Sequence, residues 1–283
     1  MPEPPTAHAI FTRHGVRLRA HTRRPGDLDW LFLPGGPGVG SESLTGLLDD
    51  LQLPGVGWLV DLPGDGSNVD APGSPADPYS VWPQVFLEAA DAVARPVAVG
   101  HSTGGEYLLS IPELEARLSG LVLMSTAPDA GWMPIFDAMV NAHPLPAVDD
   151  ATRRYEASGS PADLRDAAVA SAPWNFTPAG LAAGVRLLSD LPYNPAAVTW
   201  SDTHFDRDYT AAWWPAALPT LILSGDEDRI VAQRHWEDQA FQGPHVTHAV
   251  IPDAAHFPWI DQPGRVREAF HTFARRLAGP AHP

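Results

Sequence analysis

The sequence of 283 residues contains no cysteine and no lysine. The absence of cysteine excludes disulfide bonds, thiolate metal sites, iron–sulfur clusters and a cysteine nucleophile. Because lysine is absent, all 18 basic residues are arginines, and 34 acidic residues bring the net charge to −16. A surface this acidic repels phosphate backbones and anionic lipids, so we expect no nucleic-acid partner and no membrane partner.

Long apolar runs are also missing. No stretch reaches the roughly 18 uninterrupted apolar residues of a membrane-spanning helix. The first residues lack the basic and apolar regions of a secretory signal. From these absences we expect a cytoplasmic protein. Hydrophobic residues still make up 44% of the chain, which is enough for a sizeable core, and the 31 prolines indicate many loops.

Short apolar runs alternate with helical patterns along most of the chain. The runs that predict buried strands are Trp30–Leu33, Trp58–Asp61, Val97–Gly100, Leu121–Ser125 and Leu221–Gly225, after an opening hairpin at Ala9–Thr12 and Val16–Ala20. The helical patterns are Ser43–Leu51, Val81–Ala94, Gly104–Ile111, Ala232–Phe241 and Gly264–Leu277. This alternation predicts an α/β fold with a doubly wound, mostly parallel sheet.

The alternation stops between residues 128 and 215. Five of the ten tryptophans fall in this segment. Its helical patterns are Met133–Ala142, Asp149–Ala157, Pro161–Ser171 and Pro178–Asp190. We therefore predict a helical cap at 128–215, inserted into a core that is formed by residues 1–127 and 216–283.

The strongest chemical motif is Gly-His-Ser-Thr-Gly at residues 100–104. A predicted strand precedes it and a helical pattern follows it. Small residues on both sides of Ser102 allow a tight turn that exposes the hydroxyl group, as a nucleophile requires. The alternative is a glycine-rich turn in which the hydroxyl group only caps the helix.

A serine nucleophile needs a base, and the base needs an acid that orients it. Of the twelve histidines, His256 is the best placed, because it follows a strand-like run at 245–251 and precedes the last helical pattern. His245 and His248 are the alternatives. They are three residues apart on this run and would face opposite sides of the strand, so they are not expected to bind a metal together.

The acid is expected just after the Leu221–Gly225 strand, at the carboxyl edge of the sheet where catalytic side chains gather. Asp228 is the preferred candidate, 28 residues before His256 in the chain. Asp226, which could instead form the turn after the strand, and Asp129 are the alternatives.

The order Ser…Asp…His in these contexts resembles the α/β-hydrolase fold superfamily. Leu-Pro-Gly-Gly-Pro-Gly at 33–38 is similar to the family's oxyanion loop, and residues 61–67 and 254–258 are similar to two further family motifs. The resemblance covers residues 8–127 and 216–277. It implies an eight-stranded, mostly parallel sheet flanked by helices, and it implies that the N–H groups of Gly36 and Thr103 form the oxyanion hole. The alternative is that the glycines only turn the chain toward the next helix.

Some positions depart from the family pattern. Pro34 stands where the family usually has histidine, and Ala255 where it usually has glycine. The glycine loop resembles that of proline iminopeptidases, but their nucleophile motif is missing. Haloalkane dehalogenases and epoxide hydrolases place aspartate at the nucleophile position, so Ser102 disfavours both.

The resemblance implies a serine hydrolase that cleaves a small carboxylic ester through an acyl-enzyme intermediate, with no metal and no cofactor. The expected partner is a small-molecule substrate, and homo-oligomerisation is left open. Trp132 and Trp259 are predicted to contact the substrate, although such aromatic residues more often belong to a core. The alternatives are a hydrolase of carbon–carbon bonds, lactones or N-terminal peptide bonds on the same residues, and a non-catalytic ligand-binding protein.

Overall fold

The computed structural model of the protein describes residues 9–231 and 233–278. These residues include one eight-stranded sheet. The strands are β1 (Ala9–Phe11), β2 (Arg17–Arg24), β3 (Asp29–Leu33), β4 (Gly55–Asp61), β5 (Pro96–His101), β6 (Gly120–Met124), β7 (Thr220–Gly225) and β8 (Val246–Ile251). Across the sheet they follow the order β1-β2-β4-β3-β5-β6-β7-β8. The pairs β1–β2 and β2–β4 are antiparallel and the others are parallel. The predicted mostly parallel sheet is confirmed.

Helices cover both faces of this sheet. Those outside the 128–215 segment are α1 (Thr45–Leu51), α2 (Trp82–Asp91), α3 (Thr103–Leu109), α10 (Pro258–Asp261) and α11 (Pro263–Ala278). Within the segment lie α4 (Met133–Ala142), α5 (Pro146–Ser158), α6 (Pro161–Ala170), α7 (Ala172–Asn175), α8 (Leu181–Asp190) and α9 (Pro195–His204). Over the two described ranges, no helix has the length and apolar character needed to cross a membrane.

Strand β3 shows how alternating side chains build two cores. Trp30 and Phe32 point to one face, where both pack against Phe270 of α11 with ring centroids 6.4 and 6.2 Å apart. Leu31 and Leu33 point to the other face and join the cluster that contains residues of α2 and α3. Because the strand is buried on both faces, every one of these positions is apolar.

The segment 128–215 lies between β6 and β7 and is largely helical. Its two ends run side by side, since Asp129 and Thr210 form an antiparallel bridge. The Ala130 N–H donates to the carbonyl of Tyr209, and this second bond closes the same junction. The segment therefore leaves and re-enters the sheet layer at one place.

One predicted helix differs from the structure, and helix α9 is not among the predictions. The predicted helix Ala232–Phe241 is wrong over the described residues, which form two short 3-10 turns at Gln233–Trp236 and Gln239–Phe241; Ala232 itself lies outside the described residues. The Asp238 carboxylate accepts the Ala240 N–H at 2.8 Å and starts a new turn, which interrupts the helix. Helix α9 has no counterpart among the predictions, because the residues that it buries, Ala197 and Ser201, give no apolar stripe.

Phe270→Ala is expected to destabilise the protein by about 3–5 kcal/mol, because it removes a fully buried ring that two aromatic residues of β3 contact. Urea unfolding monitored by circular dichroism would measure this loss. Glu268→Ala, at an exposed position of the same helix, is the matched control and should leave stability nearly unchanged. A cost of less than 1 kcal/mol for Phe270→Ala would contradict the packing described for this face.

Candidate active site

Ser102 occupies a strained turn between β5 and α3. Its backbone angles are φ 50° and ψ −128°, which a residue with a side chain rarely adopts. The turn is possible because its neighbours lack side chains: a Cβ on Gly100 would lie 2.5 Å from the backbone of Gly105, and a Cβ on Gly104 would lie 2.4 Å from the Pro34 carbonyl oxygen. The strain holds the Ser102 hydroxyl group at the carboxyl end of the sheet, as the sequence motif predicts.

Ser102, His256 and Asp228 form a continuous hydrogen-bonded chain. The Ser102 Oγ atom lies 3.2 Å from His256 Nε2. On the other side of the imidazole, Nδ1 lies 3.0 Å from Asp228 Oδ2 and 3.2 Å from Oδ1. His256 and Asp228 are both buried, with 4% and 8% of their surface exposed. This is the geometry of a hydroxyl nucleophile, a base and an orienting acid.

Backbone groups fix both members that support the serine. Asp228 Oδ1 accepts the N–H groups of Ile230 and Val231, each at 2.9 Å. The backbone N–H of His256 donates to the carbonyl of Asn175, at the end of α7, at 3.1 Å. The carboxylate and the imidazole therefore keep their orientation without a substrate.

The alternative acids and bases interact with other groups, away from the His256 imidazole. Asp129 accepts the Gly131 N–H at 2.8 Å and caps a short turn. Asp226 approaches the backbone of the loop before His256, at 3.5 Å from an N–H group. His245 and His248 hydrogen-bond to backbone carbonyl groups at 2.8 and 3.1 Å. Of the five candidate acids and bases besides His256, only Asp228 hydrogen-bonds to the His256 imidazole in this structure.

His101 is buried beneath the turn, with 3% of its surface exposed. Its Nε2 atom lies 3.0 Å from the carbonyl oxygen of His256, and burial together with the His256 charge lowers its pKa well below the usual value. Trp259 packs edge-on against this imidazole with ring centroids 4.8 Å apart and is 3% exposed. The structure thus places Trp259 in the packing under the site and outside the cavity lining, unlike the substrate contact predicted for it.

The loop that contains Gly35 and Gly36 passes very close to the nucleophile. A Cβ on Gly35 would lie 2.6 Å from the Ser102 Cβ atom, and Gly36 has φ 120°, which favours glycine. Thr103 is the first residue of α3, so its N–H has no partner within the helix. Gly36 and Thr103 both line the cavity beside Ser102, where oxyanion donors would be needed.

A buried carboxyl group anchors this loop. Asp65 Oδ1 accepts the N–H groups of Gly38 and Gly66 at 2.8 and 2.9 Å. Burial, followed by the neighbouring Asp61 charge, raises the pKa of Asp65 to about 7. The Gly38 carbonyl in turn accepts the backbone N–H of Asn194, the cap residue of α9, at 2.8 Å. Gly38 therefore links the glycine loop to both the sheet layer and the helical segment.

A cavity of about 240 Å³ opens beside Ser102. Both parts of the chain line it, and residues from the 128–215 segment include Trp132, Ala168, Asn175, Leu188, Tyr193 and Asp206. The predicted position of Trp132 at a pocket is consistent with this lining. The sequence analysis does not predict that Glu106 and Asp206 line this cavity. For Glu106 the available signal is that it is the one charged residue of α3, whose other residues are Thr-Gly-Gly before it and Tyr-Leu-Leu after it.

Within residues 9–231 and 233–278, no group of three His, Asp or Glu side chains is arranged to hold a metal ion. The hydroxyl, imidazole and carboxylate groups of the site form a set suited to nucleophilic attack on a carbonyl group.

Comparisons with known proteins agree with this architecture. The family model described as "Alpha/beta hydrolase family" matches residues 30–269. A search of curated proteins finds no match.

Solved structures share the fold over nearly the whole chain. A malate-bound thermophilic esterase from Thermogutta terrifontis is 19% identical (TM-score 0.67, 96% of this chain and 99% of that chain). A proline iminopeptidase-related protein from Thermus thermophilus is 21% identical (TM-score 0.69, 98% and 99%). An alpha/beta fold family hydrolase from Bacillus anthracis is 14% identical (TM-score 0.73, 95% and 99%). At these identities the likeness concerns the fold alone.

Asp65 should make stability fall as pH rises. Its carboxyl group is protonated more readily in the folded protein, with a pKa of about 7, than in the unfolded chain, where the ordinary value is 3.8. The stability that this group contributes is therefore complete below pH 3.8 and is lost as pH rises through 7.

Asp65→Asn removes this titrating group. The difference in unfolding free energy between the wild type and the variant should therefore change with pH, falling by about 2–3 kcal/mol for the wild type between roughly pH 5 and 8. Urea unfolding at several pH values would measure the difference. Asp70→Asn, at an exposed position, is the control and should show no such trend. A difference between wild type and Asp65→Asn that is independent of pH would contradict the raised pKa of Asp65.

Proposed function

The chain belongs to the alpha/beta hydrolase family, and on that premise we propose that it is a serine hydrolase that cleaves a small carboxylic ester. The observation that carries this proposal is the continuous chain of hydrogen bonds from Ser102 Oγ through His256 to Asp228. The small volume of the adjoining cavity, about 240 Å³, supports a small substrate. Esterases among the structural neighbours are consistent with this reaction.

In the acylation step, Ser102 Oγ attacks the ester carbonyl carbon while His256 Nε2 accepts the hydroxyl proton. The carbonyl oxygen becomes an oxyanion, and the N–H groups of Gly36 and Thr103 donate hydrogen bonds to it. The Asp228 carboxylate stabilises the imidazolium that has formed. When the carbon–oxygen bond of the ester breaks, His256 returns its proton to the leaving alcohol, and the acyl group stays on Ser102.

Deacylation repeats these steps with water. His256 Nε2 accepts a proton from the water molecule as the water oxygen attacks the acyl carbon. The second tetrahedral intermediate collapses, the bond to Ser102 breaks, and the serine oxygen takes the proton from His256. The free acid leaves and the starting enzyme is restored.

The helical segment 128–215 is proposed to act as a cap that selects the substrate. It supplies apolar and aromatic side chains to the cavity lining, among them Trp132, Leu188 and Tyr193. The groups proposed for the chemistry all lie outside this segment. Variation within it is therefore expected to alter substrate choice more than the reaction itself.

Ser102→Ala should lower kcat for hydrolysis by roughly 10⁴ to 10⁶, because it removes the nucleophile from an otherwise intact site. The assay would follow hydrolysis of p-nitrophenyl esters, with anilides and lactones measured alongside. A fluorophosphonate probe should label the wild type at Ser102 and should not label the variant.

Ser189→Ala, at an exposed position on α8, is the matched control and should retain both activity and labelling. Full ester hydrolysis by a correctly folded Ser102→Ala protein would overturn the proposal. Faster turnover of anilides or lactones than of esters would reassign the substrate class on the same residues. Labelling without multiple turnover would favour a ligand-binding role.

Asp228→Asn should reduce kcat by about 10⁴, as the corresponding change does in a serine protease, because an amide cannot favour the required imidazole tautomer. Asp226→Asn and Asp129→Asn are matched controls, and neither residue contacts His256 in this structure. Their kcat values should stay close to that of the wild type. A severe loss of kcat in Asp129→Asn together with a mild loss in Asp228→Asn would show that Asp129, and not Asp228, is the orienting acid.

A further inference from the structure

Glu106 is a buried carboxyl group that the proposed reaction does not use. It lies in α3, four residues after Ser102, and lines the same cavity. Only 2% of its surface is exposed, and its Oε2 atom accepts no hydrogen bond from the described part of the chain. A buried carboxyl group without a partner is costly to the fold, so its position at a reactive serine points to a ligand.

A second carboxyl group faces the cavity from the helical segment. Asp206, just after α9, is half-buried and accepts a hydrogen bond from Ser201 Oγ at 2.7 Å. Burial raises the pKa of both Glu106 and Asp206, and the Asp206 charge raises the pKa of Glu106 further. One carboxyl group from each part of the chain therefore faces the cavity beside Ser102, and a bound cation would favour the ionised form of both.

Among the described residues, no cation in the cavity lining balances this pair; Arg207, which pairs with Asp202, only partly offsets the rise in the pKa of Asp206. The sequence has no lysine, and no arginine of the described residues lines the cavity. Of the two histidines in the lining, burial keeps His101 uncharged, and His256 belongs to the catalytic chain. The indole of Trp132 approaches Glu106 and partly offsets the rise in its pKa, but the two groups do not form a hydrogen bond of ordinary geometry.

We propose that Glu106 and Asp206 bind a protonated amine of the substrate, so that the protein prefers small esters that carry a cationic ammonium group. This inference rests on the proposed ester hydrolysis and names its substrate class. An ammonium N–H would donate to the free Glu106 oxygen, and its charge would relieve the repulsion between the two carboxylates. Trp132, an aromatic residue that lines the same cavity, suits a cation as well.

Two pairs of isosteric esters test the preference. On the alcohol side, 2-(dimethylamino)ethyl acetate is compared with 3-methylbutyl acetate; on the acyl side, ethyl N,N-dimethylglycinate is compared with ethyl 3-methylbutanoate. Within each pair a protonated nitrogen replaces a CH group of similar size. For the wild type at pH 7, kcat/KM corrected for spontaneous hydrolysis should favour the cationic member of at least one pair by about tenfold or more.

Glu106→Gln should reduce that ratio of cationic to neutral kcat/KM to near one, and Asp206→Asn should lower it as well. Glu113→Gln is the matched control, because it makes the same change at an exposed residue outside the cavity and should keep the wild-type ratio. If Glu106→Gln does not fold, inhibition of the wild type replaces it: 2-(dimethylamino)ethanol should compete at least about tenfold better than 3-methyl-1-butanol.

The outcomes separate this inference from the proposed function. Hydrolysis of neutral esters with no cationic preference in either pair would overturn the amine site while supporting the serine hydrolase. A cationic preference that survives unchanged in both Glu106→Gln and Asp206→Asn would also overturn it. Absence of turnover on all four esters, together with no fluorophosphonate labelling of Ser102, would instead refute the hydrolase itself.

Discussion

The close approach of two backbone segments at Ser102 is the constraint on which the site depends. The strained turn after β5 exists only because glycines on the turn and on the neighbouring loop leave room for one another. The same contact brings Gly36 and the first N–H of α3 beside the Ser102 hydroxyl group. A strained backbone persists only where its surroundings hold it, and here a sheet buried on both faces provides that support.

Buried carboxyl groups surround this point, and they differ in their hydrogen-bond partners. Asp228 accepts hydrogen bonds from two backbone N–H groups and contacts the His256 imidazole. Asp65 also accepts hydrogen bonds from two N–H groups, but burial, and after it the Asp61 charge, opposes its ionisation. Glu106 receives no such hydrogen bond within the described residues. The donors that each carboxyl group meets therefore match its role: Asp65 fixes a loop, Asp228 is proposed to orient the base, and Glu106 is proposed to be open to a ligand.

Much of the fold could be predicted because short apolar runs bounded by glycine, proline and aspartate mark buried strands. The proximity of Ser102, His256 and Asp228 could be predicted from the motifs that follow these strands, since the carboxyl ends of parallel strands meet at one edge of the sheet. The sequence could not reveal which side of a buried residue meets a cavity. For this reason Trp259, which was predicted to contact the substrate, packs against His101 instead. For the same reason the position of Glu106 in the cavity lining was not predicted.

The hydrogen bonds at Gly38 give the molecule a mechanical property. Its N–H is tied to the sheet layer through Asp65 and its carbonyl to the start of α9 through Asn194. The Asn194 side chain also reaches the carbonyl of Gly64 and the hydroxyl of Tyr79, so the attachment is threefold. An outward swing of α9 must either drag Gly38 along or break these bonds. The position of α9 and the position of the glycine loop are thus coupled through a single residue.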